Sequence, residues 1–232
     1  MSDHIDPQDG PGLAVFDLDY TLTKRGTWGR FVWRWVRYRP HIWLPLLLSA
    51  GFKQWQYKRG KCPRQDVKLA MMRWAMKGAA RKDMLQRGAH FAQNEVKTGL
   101  RPKARGVIAQ HKARGDHLIM ISAAVDVIAQ PIGELLGFEA VLSTEMSFDD
   151  QERLELKFST PNCYGAEKCR RFHALLEKRP FLKQYHTKVT FYSDSISDLD
   201  MFLLSQVSIC VHPDMKLSRL AIEKGWPIAN WS

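Results

Sequence analysis

The 232-residue sequence has no apolar run long enough to cross a bilayer. Its longest, Ile42 to Ala50, is about half of the ~20 residues that a spanning helix needs. Arg30, Arg34, Arg37 and Arg39 stand just upstream, and each would be costly in hydrocarbon. Pro40 and Pro45 are expected to interrupt the helix as well, so a membrane span is excluded. Cysteine is scarce. Cys62, Cys163, Cys169 and Cys210 form no CxxC pair and no zinc-type spacing. They read as reduced, packed thiols of a reducing compartment, not as a disulfide framework or a zinc site. The opening residues, MSDHIDPQDGPG, lack the basic start and apolar stretch of a signal peptide. Residues 1–12 are expected to form a disordered leader on a cytoplasmic protein. Internal repeats and low-complexity tracts are also missing, and there is no acid from Lys24 through Arg39.

What is present is an ordinary globular composition, 45% hydrophobic and 25% charged, with a formal charge of +11. The length suits one domain, or one domain carrying an insertion. The charge favours anionic partners: phosphorylated metabolites, anionic lipid or nucleic acid.

LAVFDL, from Leu13 to Leu18, is a short apolar run ending in an acid and reads as a buried strand. From Thr27 to about Val96 the spacing is helical. Trp28, Phe31, Val32 and Trp35 fall on one face, and so do Val67, Ala70, Met71 and Trp74. Breaks are expected at Arg39-Pro40, from Gly60 to Pro63, and at Gly78. After Pro102 strands and helices alternate. Strands are expected at His117–Ile121, Phe138–Thr144, Lys188–Tyr192 and Val207–Val211. Helices are expected to Arg114, and over Ala124–Leu136, Tyr164–Lys178, Ser197–Leu204 and Lys216–Lys224. Pro131 is expected to break or kink the second of these, and Phe148–Phe158 reads as a polar hairpin. The fold class is therefore α/β, a Rossmann-like parallel sheet with helices on both faces and an inserted all-helical domain. The expected divisions are 13–24 and 100–232 for the core and 25–99 for the insertion.

Parallel α/β sheets carry their sites at the carboxyl ends of strands. There the sequence places Asp17 and Asp19, Ser122 and Ala123, and Asp194 with Asp198 one turn later, while Lys168 opens the helix between. Clustered like charges repel unless something neutralises them. Mg²⁺ prefers oxygen ligands and is usually held by one or two carboxylates together with substrate phosphate. The set reads as Mg²⁺-assisted phosphoryl transfer.

FDLDYTLT, ISAA, GAEK and YSDSISD resemble, in order, the four motifs of the haloacid dehalogenase superfamily of phosphatases, over roughly Ala14 to Val211. The helical insertion after the first motif resembles the cap of the phosphoserine-phosphatase-like branch. The resemblance implies roles. Asp17 would be the nucleophile that forms an aspartyl-phosphate, ionised at neutral pH because a carboxylate ordinarily titrates near pH 4. Asp19 would be the general acid and then the base. Thr21 would hold the turn. Ser122, Ala123, Lys168 and Leu18 would contact phosphate. Asp17, Asp194 and the carbonyl of Asp19 would hold Mg²⁺, with Asp198 and Ser195 behind them.

The cap would choose the substrate. Arg30, Trp33, Arg34 and Arg37 are candidates for a cationic rim over Asp17, or for a solvated face. The acid-free stretch disfavours the amine of phosphoserine, whose phosphatases carry a cap glutamate near this position. The long basic, aromatic cap resembles that of the bacterial phosphatidylglycerophosphatase C type. Three readings stay open: a phosphatase of a membrane lipid phosphate with peripheral membrane contact through the cap, a phosphatase of a soluble amino-alcohol or sugar phosphate, and a non-catalytic docking protein. Nucleic acid is disfavoured as a partner, because no recognised binding motif is present. Oligomeric state is not legible.

Overall fold

The computed structural model describes residues 10–232. The expected leader therefore lies outside the described residues except for its last three. β1 (Leu13–Phe16) is buried on both faces, as a central strand covered by helices must be. It lies third in a six-stranded parallel sheet. On one side stand β2 (His117–Val125) and then β3 (Ala140–Thr144). On the other stand β6 (Val189–Ser193), β7 (Val207–Val211) and the short edge strand β8 (Ile228–Ala229). Phe16 is in register with both Met120 and Tyr192. The chain winds outward from β1 in both directions, so a crevice opens beyond the carboxyl ends of β1 and β6.

Alternation along β1 divides the core. Ala14 and Phe16 belong to one apolar layer, Leu13 and Val15 to the other. The covering helices are α5 (Ala104–Ala113), α6 (Asp126–Leu136), α7 (Ala166–Lys178), α8 (Pro180–Lys183), α9 (Leu199–Leu204) and α10 (Met215–Lys224). A separate antiparallel hairpin, β4 (Met146–Phe148) with β5 (Leu154–Phe158), stands where the polar hairpin was expected.

The insertion holds α1 (Thr27–Val36), α2 (Pro40–Lys58), α3 (Gln65–Ala75) and α4 (Arg81–Asn94). Its breaks fall at the expected prolines and glycines, with Gly60 and Gly78 at positive φ. Three expectations need correction. Pro45 and Pro131 do not end their helices: α2 and α6 run through both. β2 continues past Ile121, shifting register so that Val125 pairs with Thr144, and Ser122-Ala123 thus lies within the strand. α3 is turned partly from its expected face. Ala70 is buried as expected, but Lys68, Met72 and Ala75 are buried with it, while Trp74 stays 41% exposed.

The seam between insertion and core uses Pro131 directly. A proline at 131 donates nothing to the carbonyl of Val127, four residues before it. Gly88 of α4 packs on that carbonyl so closely that a Cβ would stand 2.0 Å from the oxygen. Gly88→Ala is expected to cost about 1–3 kcal/mol, because the obstacle is backbone and cannot give way. A fall in urea midpoint at unchanged slope would show it; an unchanged midpoint would mean that the seam is loose.

Candidate active site

Asp17 directly follows β1, and its N–H donates to Tyr192 of β6 (2.9 Å), which fixes it at the strand ends. The chain then makes one wide turn over Leu18–Leu22. Tyr20 takes a left-handed conformation there (φ 63°), which is uncommon for a residue with a Cβ. Arg101 holds this turn, donating from Nε (2.9 Å) and Nη2 (2.7 Å) to the Tyr20 carbonyl. Thr23 bridges to Leu100, joining the two chain segments that lead into and out of the insertion. The turn lets Asp17 and Asp19 both reach the crevice.

Lys168, 2% exposed at the start of α7, is the electrostatic centre. Its Nζ lies 2.7 Å from Asp17 Oδ1 and 2.7 Å from Asp198 Oδ2. Ser193 Oγ donates to the same Asp198 oxygen (2.6 Å). Thr21 Oγ1 lies 3.2 Å from Asp194 Oδ1 and 3.5 Å from Asp17 Oδ2, which brings those two carboxylates to one point. Burial, with Asp198 and Asp194 adding to it against the pull of Lys168, pushes Asp17 up to about 7. Burial likewise pushes Asp194 up to about 6. Burial alone would lower Lys168, but its two carboxylates hold it above the ordinary range. Burial thus opposes the ionisation that the ordinary acidity of Asp17 would give.

Asp19 stands apart from this cluster. Its Oδ1 accepts from the N–H of Thr27, the first residue of α1 (2.8 Å). Burial raises its pKa, and that favours the protonated form. Asp17, Asp19, Ser122, Ala123, Lys168, Asp194, Ser195 and Asp198 all line one small cavity of about 100 Å³. Leu18 does not line it; it is fully buried, and its carbonyl accepts from Thr23. Ser195 caps the short turn after β6 by accepting from Ser197 N–H.

The sequence profile of haloacid dehalogenase-like hydrolases matches residues 14–203. The chain belongs to the haloacid dehalogenase-like hydrolases. It is a hydrolase of the phosphatase type, and it shares its fold with its structural neighbours. A protein of unknown function from Bordetella pertussis Tohama I superposes with a TM-score of 0.77 at 19% identity, covering 96% of this chain and 100% of that one. A phospho-aspartyl intermediate analogue of phosphoserine phosphatase superposes at 0.62 and 15% identity, covering 97% and 95%. Among relatives, a histidinol-phosphatase from Neisseria meningitidis serogroup C (strain 8013) is 24% identical over 94% of this chain and 98% of its own length. A probable phosphatase of Mycobacterium tuberculosis (strain ATCC 25618 / H37Rv) is 30% identical over 56% of this chain, a match that spans 44% of that longer protein.

In this haloacid dehalogenase-like hydrolase a larger chamber of about 490 Å³ adjoins the carboxylates and shares Asp19, Tyr20, Arg64 and Ala123 with the small cavity. The insertion supplies Arg25, Trp28, Arg30, Gln54 and Lys68 to its wall. Glu95 neutralises Arg30 (2.5 Å). Lys68 donates to the carbonyl of Ala123 and to Asn162 Oδ1 (2.8 Å), and Thr144 Oγ1 donates to the same two acceptors at 3.1 Å. Burial lowers Lys68 to about 8. Sequence reasoning missed Lys68 and Arg64. The available signal for Lys68 was its spacing, at i, i+4 and i+7 with Met72 and Ala75. Of the expected rim, Arg30 borders the chamber. Arg34 lies over Phe91 (5.0 Å), Arg37 over Tyr38 (4.6 Å), and Trp33 against Trp43 (5.1 Å), and none of these three lines it.

Proposed function

We propose that this hydrolase is a Mg²⁺-dependent phosphomonoesterase working through an aspartyl-phosphate on Asp17, with a leaving alcohol rich in hydrogen-bond acceptors or carrying a second negative charge. The donor set fits the ion. Asp17 and Asp194 are hard oxygen donors that converge at Thr21, and Lys168 reaches Asp17 and Asp198 but not Asp194. Bound between Asp17, Asp194 and the Asp19 carbonyl, Mg²⁺ would neutralise their repulsion towards a phosphate dianion.

The chain's own groups account for the rest. Asp17 forms a bond to phosphorus as the ester P–O bond breaks. Lys168, Ser122 and the backbone at Ala123 steady the phosphoryl oxygens. Asp19 passes its proton to the departing alkoxide oxygen, then takes a proton from the water that attacks phosphorus and frees Asp17. The raised pKa of Asp19 suits the first of these tasks.

The composition of the larger chamber carries the substrate reading. Arg25, Arg64 and Lys68 face it, and among the described residues Asp19 is its sole carboxylate and the buried indole N–H of Trp28 in its wall has no partner. Such a wall matches acceptors and repels amines. A glycerol phosphate head group with its phosphodiester, as in phosphatidylglycerophosphate, meets that description, and so does a sugar bisphosphate. A second reading, an amino-alcohol phosphate, is favoured by the near-full-length relative named histidinol-phosphatase.

The test is phosphate release from phosphatidylglycerophosphate in mixed micelles, a sugar bisphosphate, histidinol phosphate and phosphoserine, with Mg²⁺ and after chelation. Chelation is expected to abolish turnover and Mg²⁺ to restore it; turnover that survives chelation would overturn the metal assignment. The anionic esters are expected to lead by at least tenfold in kcat/KM, and a clear preference for histidinol phosphate would move the assignment to the second reading.

A further inference from the structure

α2 presents its apolar side to water. Leu44, Leu47, Leu48, Phe52 and Trp55 recur at i, i+3, i+4, i+8 and i+11, which places them on one face. Their exposures are 68%, 66%, 65%, 57% and 43%, and Leu46 is the helix's one fully buried side chain. A helix that merely covers a core turns such a stripe inward. Tyr38 (81% exposed) and Trp33 (51%) add further exposed rings just before the helix.

Cations frame the stripe. The Arg59 guanidinium lies 4.1 Å from the Trp55 ring centre, and the Lys61 ammonium lies 5.7 Å from the same ring. Between Asp19 and Asp66 the sequence holds eleven lysines and arginines and no acid. The whole chain carries +11, so this one stretch accounts for all of the excess and the remainder is neutral.

Both properties together select the occupant. A second copy of the chain would set one cationic stretch against another. A nucleic acid would satisfy the cations and leave the leucines in water. An anionic lipid surface satisfies both. We propose that α2 and the basic turn after it dock on an anionic bilayer, with the helix lying in the plane of the membrane, the leucines and Phe52 entering the boundary between head groups and acyl chains, and Arg59 and Lys61 meeting lipid phosphates. Among the described residues no helix is long and apolar enough to cross, which agrees with a surface position.

The experiment is co-sedimentation of the full chain with vesicles of equal parts phosphatidylglycerol and phosphatidylcholine, and with vesicles of phosphatidylcholine alone. The chain is expected to bind the anionic vesicles at least tenfold more tightly, with the difference shrinking as salt is raised. The L48E/F52E pair is expected to weaken binding at least tenfold while turnover of a soluble ester is kept. The R59Q/K61Q pair is expected to weaken it by about fivefold for each cation removed. No binding to anionic vesicles, equal binding to neutral ones, or binding untouched by both pairs would overturn the proposal. So would a dimer in sedimentation velocity that L48E/F52E dissolves. The readout is binding, so it stands whether or not the proposed substrates are turned over.

Discussion

Asp17→Asn is expected to lower kcat by roughly 10⁴-fold or more while the protein stays folded and still binds phosphate, because an amide of nearly the same shape cannot form the acyl phosphate. The residue is 6% exposed and its side chain lies between Lys168 and Thr21, so the replacement fits without moving its neighbours. Steady-state turnover with the preferred ester measures it, and activity within tenfold of wild type would remove Asp17 from the nucleophile's place. The same variant carries a stability signature. The folded chain holds the Asp17 proton up to about pH 7, well above the carboxylate's ordinary 3.8. Between those values the folded state binds more protons than the unfolded one, so stability falls as pH rises through the window. In chelator, Asp17→Asn is expected to unfold at a higher urea concentration than wild type at pH 8, with the gap closing towards pH 5. A gap that widens at pH 5 would reverse the sign.

Lys168→Met is the other large effect. It leaves Asp17 and Asp198 buried with no cation between them, and removing one partner of such a cluster costs about 3–5 kcal/mol. The loss is expected to be smaller at pH 5, where Asp17 can protonate. Urea denaturation at both values measures it, and a change under about 1 kcal/mol at pH 8 would mean that solvent reaches the pair. Combining this change with Asp198→Asn tests the coupling directly: the double variant is expected to be more stable than additivity predicts.

Most of this cluster was readable from the chain because buried parallel strands leave short apolar runs, and the first polar residues after LAVF and VTFYS mark the open end of the sheet. What escaped reading depended on contacts distant in sequence. Val67, Ala70, Met71 and Trp74 satisfy a helical period as well as Lys68, Met72 and Ala75 do, and a lysine reads as a solvent residue until the Ala123 carbonyl is known to stand opposite it. Pro131 looks like a break because local rules do not show that Gly88 will pack on the Val127 carbonyl, to which the proline donates nothing. The bulge after Ile121, which carries β2 on to Val125, leaves no compositional trace. The basic, tryptophan-bearing run was visible as such, but the way it is divided between chamber wall and outer face follows from where α1 ends and α2 turns.

Asp19 has one more consequence. The carboxylate that would protonate the leaving group also accepts the first backbone N–H of α1, at 2.8 Å. One carboxyl group would thus belong both to the reaction and to the opening turn of the helix that walls the chamber. A displacement of α1 would break that bond and free the side chain to rotate, so the proposed acid would be aimed only while the wall is in place. The arrangement would act as an interlock: with the wall out of place, the proposed acid would no longer be aimed.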